Sequence, residues 1–188
     1  MRVARVGTAT FATYEAFTSA RNRHIFLSRS ADSGASWAAP VQVSTGTGDG
    51  FIAAQPRIAA TANRSCVVWR DNRSGSLDVF LRAWNVGTSA FVAAEQRMDT
   101  GTAAGASSSL SADVAAEGNN VYGTVDETPG SSSLWRFARR IGTAWAGCAP
   151  PSGRSVRPSS APLGPVSSWC VRGMAGPSDR HHDPPHAR

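Results

Sequence analysis

The sequence predicts an all-β fold made of about three four-stranded blades of an incomplete β-propeller. The first observation is composition: 18 Gly and 11 Pro among 188 residues, with many Ser, Thr and Ala, favour short strands and turns over long helices. The second is an internal repeat of about 54–56 residues. The third is that each repeat divides into short apolar runs separated by turn residues, as a four-stranded antiparallel blade would.

The repeat is visible as segments that recur at this spacing. The recurring pairs are His24–Arg29 with Asp78–Ala83, Ser44–Thr47 with Asp99–Thr102, and Ile58–Ala60 with Val114–Ala116. Ser132–Trp135 falls where a third copy of the strand Val79–Leu81 is expected. A Greek-key sandwich would also use short strands, but it would not repeat at a fixed period, so the repeat favours a propeller.

The predicted domain limits follow from this repeat. Residues 1–146 form the blades, at about 1–45, 52–100 and 108–146. In the second repeat we predict strands at 56–61, 66–71, 78–84 and roughly 94–99, with a turn at Asn72–Gly75. Propellers usually close with about four to eight blades, so three blades leave open sheet edges and an uncovered apolar flank. We therefore expect a fragment, pairing with another copy, or marginal stability.

The C-terminal segment 147–188 differs from the blades. It holds 8 of the 11 prolines and 3 of the 4 histidines and lacks an alternating apolar pattern, which predicts a disordered tail. A frame-shifted read-through of a gene that once continued is an alternative origin. A disulfide between Cys148 and Cys170 is left open, and Cys66, inside an apolar run, is predicted to be a buried small hydrophobe. The Cys and His spacing predicts no metal site, and no cofactor is expected.

The basic character of the chain comes from arginine alone, because the net charge is +6 and all 19 basic residues are Arg. These arginines are scattered, without the basic stripe and interleaved aromatics typical of nucleic-acid binders, so nucleic acid is not an expected partner. No apolar run approaches the roughly 20 residues of a membrane helix, so no membrane span is expected. Residues 1–17 lack the apolar core of a secretory signal, and the sequence leaves the localisation open.

One eight-residue segment carries a more specific pattern. From Ser30 to Trp37 the chain reads SADSGASW, which fits Ser-x-Asp-x-Gly-x-(Thr/Ser)-Trp directly after a predicted strand. Asp32 can accept hydrogen bonds from turn N–H groups, Gly34 can take a positive φ, and Trp37 can pack on neighbouring strands. The segment resembles the Asp-box, or bacterial neuraminidase repeat, of the sialidase superfamily. The resemblance gives a structural, hairpin-locking role to Ser30, Asp32, Gly34, Ser36 and Trp37.

The resemblance implies a sialidase-like β-propeller over residues 1–146. It also implies a family of exo-sialidases, other glycosidases, sorting receptors and non-catalytic cell-surface proteins, many of them secreted or at the cell surface. Sialidases clamp the sugar carboxylate with three arginines and use a tyrosine nucleophile, its activating glutamate and an acid/base aspartate. The candidates for these roles are Arg57, in a segment similar to the family's arginine motif, Tyr122 and Asp71. Blade packing is the alternative role of Tyr122, and turn formation that of Asp71.

These observations predict a non-catalytic, carbohydrate-associated binding or scaffold module, or a truncated remnant of a sialidase-like propeller. Its expected partners are glycans or another chain that completes the ring of blades. The alternative is an exo-α-sialidase, a glycoside hydrolase whose missing blades are supplied elsewhere. The Asp-box resemblance bears on the fold and leaves the choice between these functions to the site.

Overall fold

Three antiparallel sheets follow one another in chain order in the computed structural model, which describes residues 1–99, 103–117, 120–127, 134–141, 144–146 and 170–172. Every regular element in these residues is a strand, and no described segment forms a helix long and apolar enough to cross a membrane. The predicted all-β fold is confirmed, and the number of sheets matches the predicted number of blades.

Each sheet is a meander in which consecutive strands are neighbours. Sheet 1 contains β1 (Arg2–Val6), β2 (Ala9–Phe17), β3 (Arg23–Ser30) and β4 (Val41–Gln42). Sheet 2 contains β5 (Ala53–Ala60), β6 (Arg64–Ser74), β7 (Ser76–Asn85), β8 (Ala90–Phe91) and β9 (Gln96–Arg97), with β8 and β9 both paired to β7. Sheet 3 contains β10 (Ser109–Glu117), β11 (Asn120–Glu127), β12 (Leu134–Ile141), β13 (Ala144–Ala146) and β14 (Cys170–Arg172), with β13 and β14 both paired to β12.

Sheet 2 is buried on both faces. Along β6, Val67 and Trp69 belong to a core shared with sheet 1, whereas Cys66 and Val68 belong to a core shared with sheet 3. Successive residues of a strand point to opposite faces, so one uninterrupted apolar run supplies both cores. The burial predicted for Cys66 is confirmed.

The second long strand of sheet 2 divides its side chains in the same way. In β7, Phe80 and Trp84 join the core with sheet 1, and Val79, Leu81 and Ala83 join the core with sheet 3. The partners of the first core in sheet 1 and the segment after it are Phe11, Ile25, Leu27, Val43 and Phe51, and those of the second core in sheet 3 are Val121 and Val125. Burial between neighbouring sheets is therefore the main source of apolar stabilisation in the described chain.

The repeat appears in the hydrogen bonds as well as in the amino-acid sequence. The N–H of Ile25 in β3 donates to Oγ of Ser44 at 3.0 Å, and the N–H of Val79 in β7 donates to Oδ2 of Asp99 at 3.0 Å. Ser44 and Asp99 are both buried and both follow the last strand of their sheets. Two different side chains thus satisfy equivalent backbone donors.

Two elements differ from the sequence prediction. The fourth strand of the second repeat, expected at roughly 94–99, is reduced to β9, and the additional short strand β8 precedes it and pairs with the same strand, β7. The short strand β14 lies inside the predicted tail and pairs with β12. The rest of segment 147–188, with Cys148 and the tail histidines, lies outside the described residues.

Truncation of a side chain between sheets 2 and 3 tests this packing. Leu81→Ala is expected to lower the free energy of unfolding by about 2–5 kcal/mol, because Leu81 is fully buried in the second core. The same change at Leu110, which is 46% exposed on β10, is expected to cost less than about 1 kcal/mol. Urea unfolding followed by tryptophan fluorescence measures both values, and equal losses would contradict the assignment of Leu81 to an interface.

Candidate functional site

The connection between β3 and β4 is a turn held by its own side chains. Oγ of Ser30 donates to Oδ1 of Asp32 at 2.6 Å and accepts the N–H of Gly34 at 2.8 Å. Oδ1 of Asp32 also accepts the N–H of Ser36 at 2.8 Å, and Oδ2 accepts the Ser36 hydroxyl. Bonds from the side chains of Ser30 and Ser36 and from the Ser36 N–H lower the pKa of Asp32 far below its ordinary value of 3.8.

The glycine and the tryptophan of this turn have separate tasks. Gly34 has a φ of 98°, a region that residues with a Cβ rarely enter. Trp37 was expected to pack on neighbouring strands, but its ring is 45% exposed and its Nε1 donates to the carbonyl of Gly34 at 3.1 Å. The tryptophan therefore closes its own turn.

An open cleft lies where the first strands of sheets 1 and 2 come together. Its volume is about 440 Å³, and its walls are formed by Met1, Arg2, Glu15, Gln55, Pro56 and Arg57. The sequence-predicted candidate Arg57 thus lines a cavity together with a second arginine and a glutamate. This cleft is a candidate binding site in the described chain.

A β-bulge in β5 shapes the cleft. The pairing of β5 with β6 shifts register between Ala54 and Arg57, and Gln55 between them has a φ of 55°. Pro56 has no N–H to give to the ladder. The N–H of Gln55 donates instead to Oε1 of Glu15 at 2.8 Å, which joins the two sheets at the cleft. Bulges and unusual backbone angles of this kind occur often beside functional sites.

The cleft carries an excess of positive charge. Both oxygens of Glu15 are engaged, one by the N–H of Gln55 and the other by Nη1 of Arg23 at 3.1 Å. None of the described carboxylates forms an ion pair with Arg2 or Arg57, and Nη1 of Arg57 donates to the Pro56 carbonyl at 3.3 Å. Two guanidinium groups without a carboxylate partner suit an anionic ligand.

Asp71 lies at the interface between sheets 1 and 2 and is fully buried. Its Oδ2 accepts Nε1 of Trp69 at 2.9 Å and Nη2 of Arg73 at 2.6 Å, and its Oδ1 accepts Nε of Arg73 at 2.8 Å and the Arg73 N–H at 3.2 Å. Both oxygens therefore hold a bidentate guanidinium pair that shapes the end of β6. A carboxylate bound in this way has no exposed oxygen with which to exchange a proton.

Arg73 extends the same network to the segment that follows sheet 1. Its Nη1 donates to Glu95, whose other oxygen accepts the N–H of Thr45, and its guanidinium lies 3.9 Å from the centre of the Phe80 ring. Burial lowers the pKa of Arg73, but the bonds to Asp71 and Glu95 outweigh burial and raise the pKa above its ordinary value. The arginine is therefore held charged, and through Glu95 it ties sheet 2 to the segment that follows sheet 1.

Tyr122 lies on the far side of sheet 3. It is 37% exposed on β11, between Val121 and Gly123, which face sheet 2, so its side chain belongs to the opposite face. Within the described chain its hydroxyl has no hydrogen-bond partner, and no bond joins any two of Arg57, Asp71 and Tyr122. The described side chains also contain no group of three His, Cys, Asp or Glu that could hold a metal ion.

Sequence reasoning missed most of the cleft. Arg2 and Gln55 carry no motif, and Glu15 reaches the cleft only because its bond to Gln55 spans 40 residues of chain. The one signal available in the sequence is the Gln55–Pro56 pair, since proline inside a predicted strand indicates an edge or a bulge.

Comparison with known proteins addresses the fold. No protein-family model matches the chain, and no curated protein matches its sequence. Among solved structures, Trypanosoma rangeli sialidase in complex with sialic acid superposes with a TM-score of 0.51 at 9% identity, over 78% of this chain and 29% of that chain. The fold is that of part of a β-propeller. A GH43 endo-arabinanase from Bacillus licheniformis is less similar, with a TM-score of 0.38 at 14% identity over 73% of this chain and 48% of that chain. The chain thus spans less than a third of the sialidase and about half of the arabinanase.

Removing the charge of Asp71 tests the structural role of this residue. Asp71→Asn is expected to lower the free energy of unfolding by about 2–3 kcal/mol, because bonds between charged partners are lost in a buried site. Asp49→Asn, which removes an ion pair whose partners are over 70% exposed, is expected to cost less than about 1 kcal/mol. Denaturant titration gives both values; an unaffected Asp71→Asn variant would show that the network does not stabilise the blades.

The Ser30–Trp37 turn should make blade stability depend on pH. A lowered folded-state pKa means that Asp32 stabilises the fold above its ordinary value of 3.8 and loses this effect as the pH falls toward the folded-state value. Asp32→Asn is therefore expected to lower Tm at neutral pH, with a smaller difference from wild type below about pH 3. Thermal unfolding across this range is the measurement, with Asp49→Asn as the matched control. A difference that stays constant with pH would contradict the role of the Asp32 charge.

Proposed function

We propose that the chain is a carbohydrate-associated binding module, built from Asp-box-type propeller blades, that binds an acidic sugar without cleaving it. The observation that carries this proposal is the cleft in which Arg2 and Arg57 have no carboxylate partner among the described residues. The fold shared with a sialidase agrees with a sugar ligand, although fold alone does not determine function.

The Asp-box assignment rests on the Ser30–Trp37 turn. Its serine, aspartate and glycine make the bonds that the motif's chemistry requires, and it connects the third and fourth strands of a sheet. The exposed position of Asp32 away from the Arg57 cleft agrees with a structural role. The motif therefore supports the type of blade and adds no catalytic group.

The chemistry of the cleft favours a carboxylate-bearing ligand of sugar size. A planar guanidinium can donate two parallel hydrogen bonds to a carboxylate, and a second guanidinium increases the attraction. The volume of about 440 Å³ lies within the roughly 300–1,000 Å³ of small-molecule sites. Gln55 adds an amide that can bond to sugar hydroxyls. We therefore place the acidic group of the sugar between Arg2 and Arg57.

The positions of the other two candidates support binding without cleavage. A tyrosine nucleophile needs a base within hydrogen-bond reach, and the Tyr122 hydroxyl has none among the described residues. An acid/base carboxylate must exchange a proton with its substrate, and Asp71 is buried with both oxygens bound by Arg73. Neither group lines the cleft that contains Arg57.

Titration with N-acetylneuraminic acid, followed by calorimetry or NMR, tests the binding site. Arg57→Gln is expected to weaken binding about 10- to 100-fold, because a charge-assisted bond contributes about 1.5–3 kcal/mol. Arg64→Gln, which changes an arginine of the same sheet outside the cleft, is expected to leave the affinity unchanged. The methyl ester of the sugar, which lacks the negative charge, should bind as weakly as the acid binds to Arg57→Gln.

Three results would overturn the proposal. If Arg57→Gln binds the acid as wild type does, or if the ester binds as well as the acid, the cleft is not the acidic-sugar site. Turnover of a fluorogenic sialoside by the purified chain would show that the module is an enzyme.

A further inference from the structure

Sheet 1 has one face that no described residue of another sheet covers. Val3 of β1, Tyr14 of β2 and Phe26 of β3 share this face, which lies opposite the core with sheet 2. Val3 is 54% exposed, and Tyr14 and Phe26 are half-buried. We call Val3, Ala12, Tyr14 and Phe26 the free face of sheet 1.

The internal repeat shows how such a face is used elsewhere in the chain. Four apolar positions of the free face recur in sheet 2 after 54 or 55 residues: Val3 as Ile58, Ala12 as Val67, Tyr14 as Trp69, and Phe26 as Phe80. The aromatic pairs have matching geometry. The Tyr14 and Phe26 rings lie 6.0 Å apart at 19°, and the Trp69 and Phe80 rings lie 6.2 Å apart at 24°.

In sheet 2 these equivalent positions are covered by the neighbouring sheet. Trp69 is fully buried and Phe80 is 7% exposed, both within the core that includes Phe11 and Leu27 of sheet 1. The free face of sheet 1 therefore has the side chains of a surface that a further sheet covers, but it lacks that sheet among the described residues. Large apolar patches left in water are a mark of protein–protein contact.

At the opposite end of the described chain, sheet 3 also has a face turned away from sheet 2. Tyr122 of sheet 3 is the repeat equivalent of Phe11 in sheet 1 and Cys66 in sheet 2. Phe11 and Cys66 are both buried against the next sheet along the chain. Tyr122, by contrast, is 37% exposed. We call the side of sheet 3 that bears Tyr122 the free face of sheet 3.

We infer that the free face of sheet 3 in one copy covers the free face of sheet 1 in a second copy, and that two copies form a closed ring of six sheets. The contact repeats the packing already present between sheets 1 and 2, and the occupant that we propose is a sheet of a second copy of this chain. Propellers close with about four to eight blades, and of the multiples of three only six lies in this range. A head-to-tail contact that closes in this way gives a twofold dimer rather than a filament. The inference is independent of the sugar ligand.

Light scattering coupled to size-exclusion chromatography of the full chain measures the assembly. We expect a mass twice the 19.7 kDa of the single chain. A monomer at all concentrations up to about 100 µM would overturn the inference, because a closed ring needs two head-to-tail contacts of the kind that joins sheets 1 and 2. Larger, open-ended assemblies would overturn it as well, because they would mean that the contact does not close at two copies.

A charge placed on the free face of sheet 1 should separate the copies. Val3→Arg is expected to give a monomer with an unchanged circular dichroism spectrum, since Val3 is more than half exposed in the single chain. Phe17→Arg is the matched control, because Phe17 is a 69% exposed apolar residue of the same sheet that points to the face opposite Tyr14. It should remain a dimer, and a dimeric Val3→Arg variant would contradict the inference.

A second variant tests the head-to-tail arrangement and replaces Val3→Arg if that variant does not fold. Tyr122→Arg is also expected to be monomeric, because it blocks the free face of sheet 3. Mixing the two variants should restore heterodimers, since one intact contact remains between the sheet 3 face of Val3→Arg and the sheet 1 face of Tyr122→Arg. A dimeric Tyr122→Arg variant, or a mixture without heterodimers, would overturn the arrangement.

Discussion

Both faces of the middle sheet are buried, and the arrangement of the described chain depends on this constraint. β6 and β7 send alternate apolar side chains into two cores, so sheet 2 requires a sheet on either side. A fully buried aliphatic side chain contributes about 1.5–3 kcal/mol, so Val68, Val79 and Leu81 together contribute roughly 5–9 kcal/mol. That sum is comparable with the net stability of a whole domain, about 5–15 kcal/mol.

Polar bridges determine how the sheets sit against one another. Between sheets 1 and 2, Arg73 joins Asp71 and Glu95, and Glu95 accepts the N–H of Thr45. Between sheets 2 and 3, Asp99 accepts both the N–H of Val79 and the hydroxyl of Ser109. Apolar contact is non-directional, whereas these bonds have one satisfactory geometry, and a buried charge without its partner is costly. These polar bridges therefore determine the position of each sheet relative to its neighbour, which apolar burial alone would leave undetermined.

The sequence was informative where the chemistry is local or periodic. The repeat predicted three sheets, the run Cys66–Trp69 predicted a buried strand, and Asp32 and Gly34 predicted a tight turn. The cleft was beyond this reasoning, because it depends on a bulge at Gln55 and on a glutamate distant in the chain. The exposure of Trp37 and the pairing of β14 were equally out of reach, since both depend on where the edge of a sheet falls in space.

The order of the sheets along the chain has a consequence for biosynthesis. As the nascent polypeptide leaves the ribosome, sheet 1 is synthesised before sheet 2 and is available to cover one of its faces. The face of sheet 2 that packs on sheet 3 stays exposed until β10 and β11 emerge. During that interval the nascent chain exposes an apolar surface to solvent. This surface is formed by Cys66, Val68, Val79 and Leu81. Slow translation of the third sheet, or a shortage of chaperones, would lengthen the interval and divert newly made chains into aggregates.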